Sequence, residues 1–78
     1  MTRAYVLLIL KPGMHEQAVE RIKMIHGVID VIFVTGKYDA VVELEAQTVG
    51  DILAILSKEI SHLSEVDVID TLIELRPD

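Results

Sequence analysis

The sequence of 78 residues contains no cysteine and no tryptophan. Disulfides, thiolate metal sites and cysteine nucleophiles are therefore excluded, so stability must come from packing and association. One Phe and two Tyr supply the aromatic bulk, although 51% of the chain is hydrophobic, which makes its apolar content almost entirely aliphatic. That content exceeds the needs of one sheet face and two helices in so small a domain, and it predicts a second surface buried by another subunit.

Basic residues and long apolar runs are also scarce. Seven Lys and Arg stand against thirteen Asp and Glu, for a formal net charge of −6. This balance opposes binding to a phosphate backbone, and the bases are scattered, so we expect no direct contact with nucleic acid. No apolar run approaches the roughly 18 residues of a membrane span, and the start has no signal-peptide cleavage site. We therefore expect a soluble, cytoplasmic protein without membrane contact.

Hydrophobic periodicity predicts a single domain over residues 1–78 with the order βαββαβ. The first helix is followed by Gly27, which is expected to be its C-cap glycine. Thr48 and Asp51 form a capping-box pattern at the start of the second helix. The predicted strands are residues 4–10, 28–34, 40–45 and 66–75, the first helix is residues 14–25, and the second has an apolar stripe of Val49, Ile52, Leu53, Leu56, Ile60 and Leu63.

Right-handed crossovers in both halves predict an α+β, ferredoxin-like sandwich. Its antiparallel sheet has strands one and three in the centre and two and four at the edges, and both helices cover one face. The first strand has no polar phase, so its helix-free face must also be covered. We expect face-to-face or edge-to-edge dimerisation through the sheet, and the fourth strand offers an edge for pairing.

Four segments together resemble a known family. They are "VLLILKPG", "GVIDVIFV", "TGKYDAVVELE" and "VDVIDTLIEL", which cover essentially the whole chain. This arrangement resembles the effector-binding (RAM) domain of the Lrp/AsnC, or feast/famine, transcription regulators. The most specific element is the G-x-Y-D turn between strands two and three. The regulators carry a helix-turn-helix ahead of this domain, whereas here the first strand begins near residue four, so the chain resembles the stand-alone form.

The resemblance implies homodimers formed through the sheets, an octamer of four dimers, and a small amino-acid effector bound where dimers meet. It implies no cofactor, no metal and no catalytic residue. Co-assembly with full-length regulators of the family is a further implication. The ligand-binding residues that it implies are Val34, Thr35, Gly36, Lys37, Tyr38, Asp39, Thr71 and Ile73.

Other readings of the same residues stay open. Gly36 and Asp39 are common in structural hairpin turns, Tyr38 can pack at a dimer contact, and Thr71 is a good strand former. The chain can also act purely as an assembly subunit. In a different class of function, ferredoxin-like dimers include cofactor-free monooxygenases and isomerases. Such an enzyme would need His26 or His62 in a deep pocket.

Overall fold

Residues 1–74, which a computed structural model describes, form the predicted βαββαβ order. The last predicted strand residue, Leu75, lies outside the described part. The elements are β1 (Thr2–Leu10), α1 (His15–Lys23), β2 (Val28–Phe33), β3 (Ala40–Ala46), α2 (Val49–Lys58), a 3₁₀ turn (Ile60–His62) and β4 (Val66–Ile73).

The four strands form one antiparallel sheet in the order β2-β3-β1-β4. The two halves of the chain therefore interleave, with β1 and β3 in the centre as predicted. The chain has the ferredoxin-like α+β fold. In the described part of the chain, neither helix has the length and apolar content needed to cross a membrane.

The core lies between one face of the sheet and the two helices. Alternate residues of the central strands are almost completely buried because a strand turns successive side chains to opposite faces. These strand residues meet the inner faces of α1 and α2. The core comprises Ala4, Val6, Leu8, Leu10, Ala18, Ile22, Ala40, Val42, Leu44, Ile52, Ile60 and Leu63.

The opposite sheet face carries no helix and remains strongly apolar at one end. Register pairs Leu7 with Val41 and Ile9 with Val68, so these side chains share the helix-free face. Ile32 and Leu72 lie on the same face, and Leu72 is 58% exposed. The prediction that β1 presents apolar side chains on both faces is confirmed.

Two local predictions for the helices are wrong. Helix α1 ends at Lys23 with Met24 as its C-cap, so Gly27 is not the capping residue. Gly27 instead has φ +100°, and a Cβ there would lie 2.9 Å from Ile55 Cδ1 and 3.2 Å from the Glu45 carbonyl oxygen. Glycine is required because the chain passes close beneath α2 with a left-handed backbone.

Helix α2 begins as predicted but ends earlier. The Thr48 hydroxyl accepts a hydrogen bond from the Asp51 backbone N–H at 3.1 Å, which confirms the capping interaction. The α-helix stops at Lys58, and the 3₁₀ turn carries the chain onward. Val49 and Leu53, which were expected to face the core, are 45% and 51% exposed.

An ion pair between an exposed arginine and a buried glutamate joins α1 to the segment before β4. Arg21 Nη1 donates to both carboxylate oxygens of Glu65, at 3.0 and 3.1 Å. Glu65 is only 5% exposed, and its backbone carbonyl accepts from the Lys11 N–H at 2.8 Å. The pKa of Glu65 is lowered, first by a hydrogen bond from its own backbone N–H and then by Arg21, against the opposing effect of burial.

Candidate functional site

The candidate site is the connection between β2 and β3, residues 34–39. Its two ends are joined by a hydrogen bond from the Val34 N–H to the Asp39 carbonyl oxygen at 3.0 Å. Between them, Thr35, Gly36 and Lys37 are exposed. Gly36 has φ +120°, and a Cβ at this position would meet no neighbouring atom. Glycine is therefore favoured here by the backbone conformation alone.

Asp39 anchors this turn to the end of β1. Its backbone N–H donates to the Leu8 carbonyl oxygen at 2.8 Å, and its Oδ2 accepts from the Leu10 N–H at 2.9 Å. The carboxylate thus continues the strand pairing where regular backbone bonds end. Asp39 has a structural role in the single chain, and a carboxylate has further lone pairs for a ligand.

Tyr38 ties the same turn to the far side of the sheet. Its hydroxyl donates to the Asp70 carboxylate, which lies on β4 beyond the intervening β1. Asp70 pairs with Leu7, so the contact is on the helix-free face. The hydrogen bond to Asp70 raises the pKa of Tyr38, and burial and the charge of Asp70 act in the same direction. Lys37 Nζ lies 5.5 Å from the centre of the Tyr38 ring, within cation–π range.

Helix α1 contributes one more side chain beside the turn. His15 lies at the helix start, with its ring centre 6.0 Å from that of Phe33 and Nε2 4.0 Å from Asp39 Oδ2. The turn is therefore flanked by an imidazole on one side and by the Tyr38–Asp70 pair on the other. With the Lys37 ammonium group, the surroundings of the turn offer a cation, two carboxylates and aromatic surface.

Thr71 and Ile73 lie elsewhere in the single chain. Thr71 pairs with Val6 and Ile73 pairs with Ala4, whose side chains are fully buried on the helix side. Both residues therefore lie on the face of β4 opposite to Asp70. Within one chain, the structure brings Lys37, Tyr38 and Asp39 together but does not place Thr71 and Ile73 on their face.

The site contacts that sequence reasoning missed are those of His15, Phe33 and Asp70. Asp70 lies in the predicted fourth strand, where a carboxylate is also typical of a solvated sheet edge. Its contact with Tyr38 depends on the pairing register of β1 and β4, which the residue pattern does not give. Asp39, the carboxylate nearest to His15 Nε2, is distant from it in the sequence and reaches it only through the fold.

Other chemistries find little support in this geometry. His26 and His62 are exposed, so neither lies in the deep pocket that the enzyme reading requires. Among residues 1–74, no group of three or more His, Asp or Glu side chains is arranged to hold a metal ion. Arg3 Nη2 pairs with Glu45 Oε2 at 3.1 Å, at the other end of the sheet.

The sheet order and the two helices on one face define the class as small ferredoxin-like α+β domains. The model of the Lrp/AsnC ligand binding domain matches residues 3–77. The chain belongs to this family. No curated protein sequence matches the chain.

Several solved structures share the fold. TTHA0845 from Thermus thermophilus is 27% identical with a TM-score of 0.92, and the match covers 100% of this chain and 98% of that one. AsnC from E. coli is 19% identical with a TM-score of 0.89, and the match covers 97% of this chain and 52% of AsnC. The regulator NMB0573 from Neisseria meningitidis, a complex with L-Met, is 10% identical with a TM-score of 0.87; the match covers 96% of this chain and 50% of that one. The chain is thus related to ligand-binding regulatory domains.

Proposed function

We propose that the chain binds a small amino acid at residues 34–39, in a site completed by a second copy. The observation that carries this proposal is the exposed turn that Asp39 and Tyr38 hold rigidly at two anchors. Membership of a ligand-binding family supports it, as does the L-Met complex of the Neisseria regulator.

The chemistry of the turn suits a zwitterion. An amino acid needs donors for its carboxylate and acceptors for its ammonium group. Lys37 and the glycine-containing backbone supply donors, while Asp39 and Asp70 supply acceptors. The Tyr38 ring adds an apolar surface that can cover the ligand.

A second copy is needed because residues 34–37 protrude. Enclosed ligands lie in concave sites that exclude most water, and a protruding turn becomes concave only against another surface. Thr71 and Ile73 remain part of the proposed site; because they lie on the opposite sheet face of the same chain, the proposal takes them from another copy. The proposed assembly is a dimer formed through the helix-free faces, with four dimers in an octamer.

The proposed role is regulatory and not catalytic, and it is exercised in the cytoplasm by co-assembly with full-length regulators of the family. The net charge of −6 opposes direct DNA contact by residues 1–78. Mixing with an AsnC-type regulator is expected to change that regulator's particle mass and DNA affinity. Unchanged values for both would contradict co-assembly.

Calorimetric titration with each of the twenty amino acids tests the ligand. We expect heat from a small subset, and a raised melting temperature with the same subset, because a ligand that binds only the folded state stabilises it. The matched control is Lys23→Gln, which removes one positive charge from the last turn of α1, away from residues 34–39. Lys37→Gln is expected to weaken binding while Lys23→Gln leaves it unchanged. Absence of heat and of thermal shifts for all twenty would contradict the proposal.

A further inference from the structure

Helix α2 presents apolar side chains on two sides. Its inner side carries the fully buried Ile52, with Ile55 and Leu56 packed against the core. Its outer side carries Val49 and Leu53, which are 45% and 51% exposed. A helix that covers one sheet face needs only the inner stripe, so the outer apolar residues are unexplained by the fold.

A shallow groove of about 600 Å³ lies beside these outer residues. Leu53 and Leu56 form its apolar part together with Ile69 of β4. The adjacent helix surface is formed by the small residues Gly50, Ala54 and Ser57. Small side chains allow another helix to approach closely. The groove is on the helix layer, away from the helix-free sheet face.

The charges of α2 indicate which partner fits this groove. Asp51 lies in the first turn of the helix and Lys58 in the last. They are seven residues apart, so they share one side of the helix and are separated by about 10 Å along its axis. Two such helices packed antiparallel bring each Asp51 opposite a Lys58.

The apolar residues obey the same symmetry. A twofold axis passing between positions 54 and 55 relates position 51 to 58 and also relates position 53 to 56. Leu53 of one copy therefore meets Leu56 of the other on one flank, while Asp51 meets Lys58 on the other flank. The apolar pair and the charged pair are separate contacts, and the same twofold axis produces both.

We propose that the α2 groove is a contact with a second copy of this chain, in which the two α2 helices pack antiparallel. This contact is isologous, because the same surface serves both copies. It does not depend on amino-acid binding at residues 34–39. Since the sheet face lies on the opposite layer, both contacts can form at once and link dimers into a larger assembly.

Charge exchange along α2 tests the contact. The variants are Asp51→Lys, Lys58→Asp and the double variant, and particle mass is measured by analytical ultracentrifugation over a wide concentration range. Each single variant places like charges opposite each other and is expected to reduce the proposed octamer to dimers, about a quarter of its mass. The double variant restores opposite charges and is expected to recover the wild-type mass.

The double variant also distinguishes restored charge pairing from a general gain in folding stability. Both of its helix-end charges oppose the helix dipole, so it is expected to melt below either single variant. Recovered assembly in a less stable chain cannot result from improved folding. Mass that follows melting temperature instead of charge pairing would overturn the proposal.

Cysteine cross-linking gives a direct readout, since the natural chain contains no cysteine. Ala54→Cys lies next to the proposed axis and is expected to form a covalent dimer on mild oxidation. Glu16→Cys, exposed on α1, is the matched control and is expected to remain uncross-linked. No cross-link at position 54, together with unchanged mass in the charge variants, would overturn the proposal and leave the groove to a partner of different sequence.

Discussion

Asp39 combines two roles that a suitable pair of substitutions separates. Asp39→Asn keeps a side-chain oxygen that can accept from the Leu10 N–H, whereas Asp39→Ala removes it. We expect Asp39→Ala to lower the free energy of unfolding by about 1–2 kcal/mol and Asp39→Asn to lower it by less than about 1 kcal/mol. Urea denaturation measures both.

The same pair distinguishes binding from folding. If the carboxylate charge holds the ammonium group of a ligand, Asp39→Asn weakens amino-acid binding in calorimetry while the chain stays folded. Equal binding by Asp39→Asn and the wild type would show that Asp39 serves only to anchor the turn.

Gly36 and Gly27 share a left-handed backbone but differ in the space around them. Gly36→Ala is expected to cost about 1–2 kcal/mol, because only the backbone conformation is unfavourable. Gly27→Ala adds a Cβ beside Ile55 and the Glu45 carbonyl oxygen, and we expect a loss of about 2–4 kcal/mol. Chemical denaturation of the two variants gives the comparison, and a larger loss at Gly36 would contradict this account.

At the scale of elements, the link between α1 and the start of β4 makes stability depend on acidity. The folded-state pKa of Glu65 lies below its ordinary value of 4.5. Its stabilising effect is therefore present above about pH 4.5 and is lost as the pH falls through the lower, folded-state value. We expect the melting temperature of the wild type to fall in this acidic range.

Two variants identify the origin of that dependence. Glu65→Gln cannot titrate and is expected to melt with a shallower decline in acid. Arg21→Met leaves the backbone N–H of Glu65 in place, so an intermediate decline is expected. A Glu65→Gln profile parallel to the wild type would show that other carboxylates control acid stability.

The elements also show which features the residue pattern can predict. Alternation in β3 gives the correct inner face, Ala40, Val42 and Leu44, because a half-buried strand has a strict period of two. The outer residues of α2 were misassigned because the apolar stripe of this helix is wider than the surface that packs on the sheet. The Tyr38–Asp70 contact was beyond prediction, since it depends on how β1 and β4 align.

For the whole molecule, the helix-free sheet face gives the strongest expectation about assembly. Leu72→Lys introduces a charge at an exposed position on this face, where no core contact is lost. If two copies pack through the face, burying this charge should weaken dimerisation by at least about 2 kcal/mol, or roughly thirtyfold in Kd. Light scattering and a thermal melt separate dissociation from unfolding.

Met24→Lys provides the matched control. Met24 follows the last residue of α1, on the helix side of the sheet, and is 88% exposed. The same charge change there should leave the particle mass unaltered. An unchanged mass for Leu72→Lys would contradict assembly through the sheet face.

The two anchors of the turn also constrain when it takes shape during synthesis. Asp39 bonds to Leu10, 29 positions earlier, and Tyr38 bonds to Asp70, 32 positions later. Contacts so distant in sequence form late because long loops must close first. A growing chain leaving the ribosome can pair β1 with β3, and so anchor Asp39, only once β3 has emerged, and it cannot order Tyr38 until β4 has emerged and docked as well. Ligand recognition at this turn would then report that the whole domain has been completed.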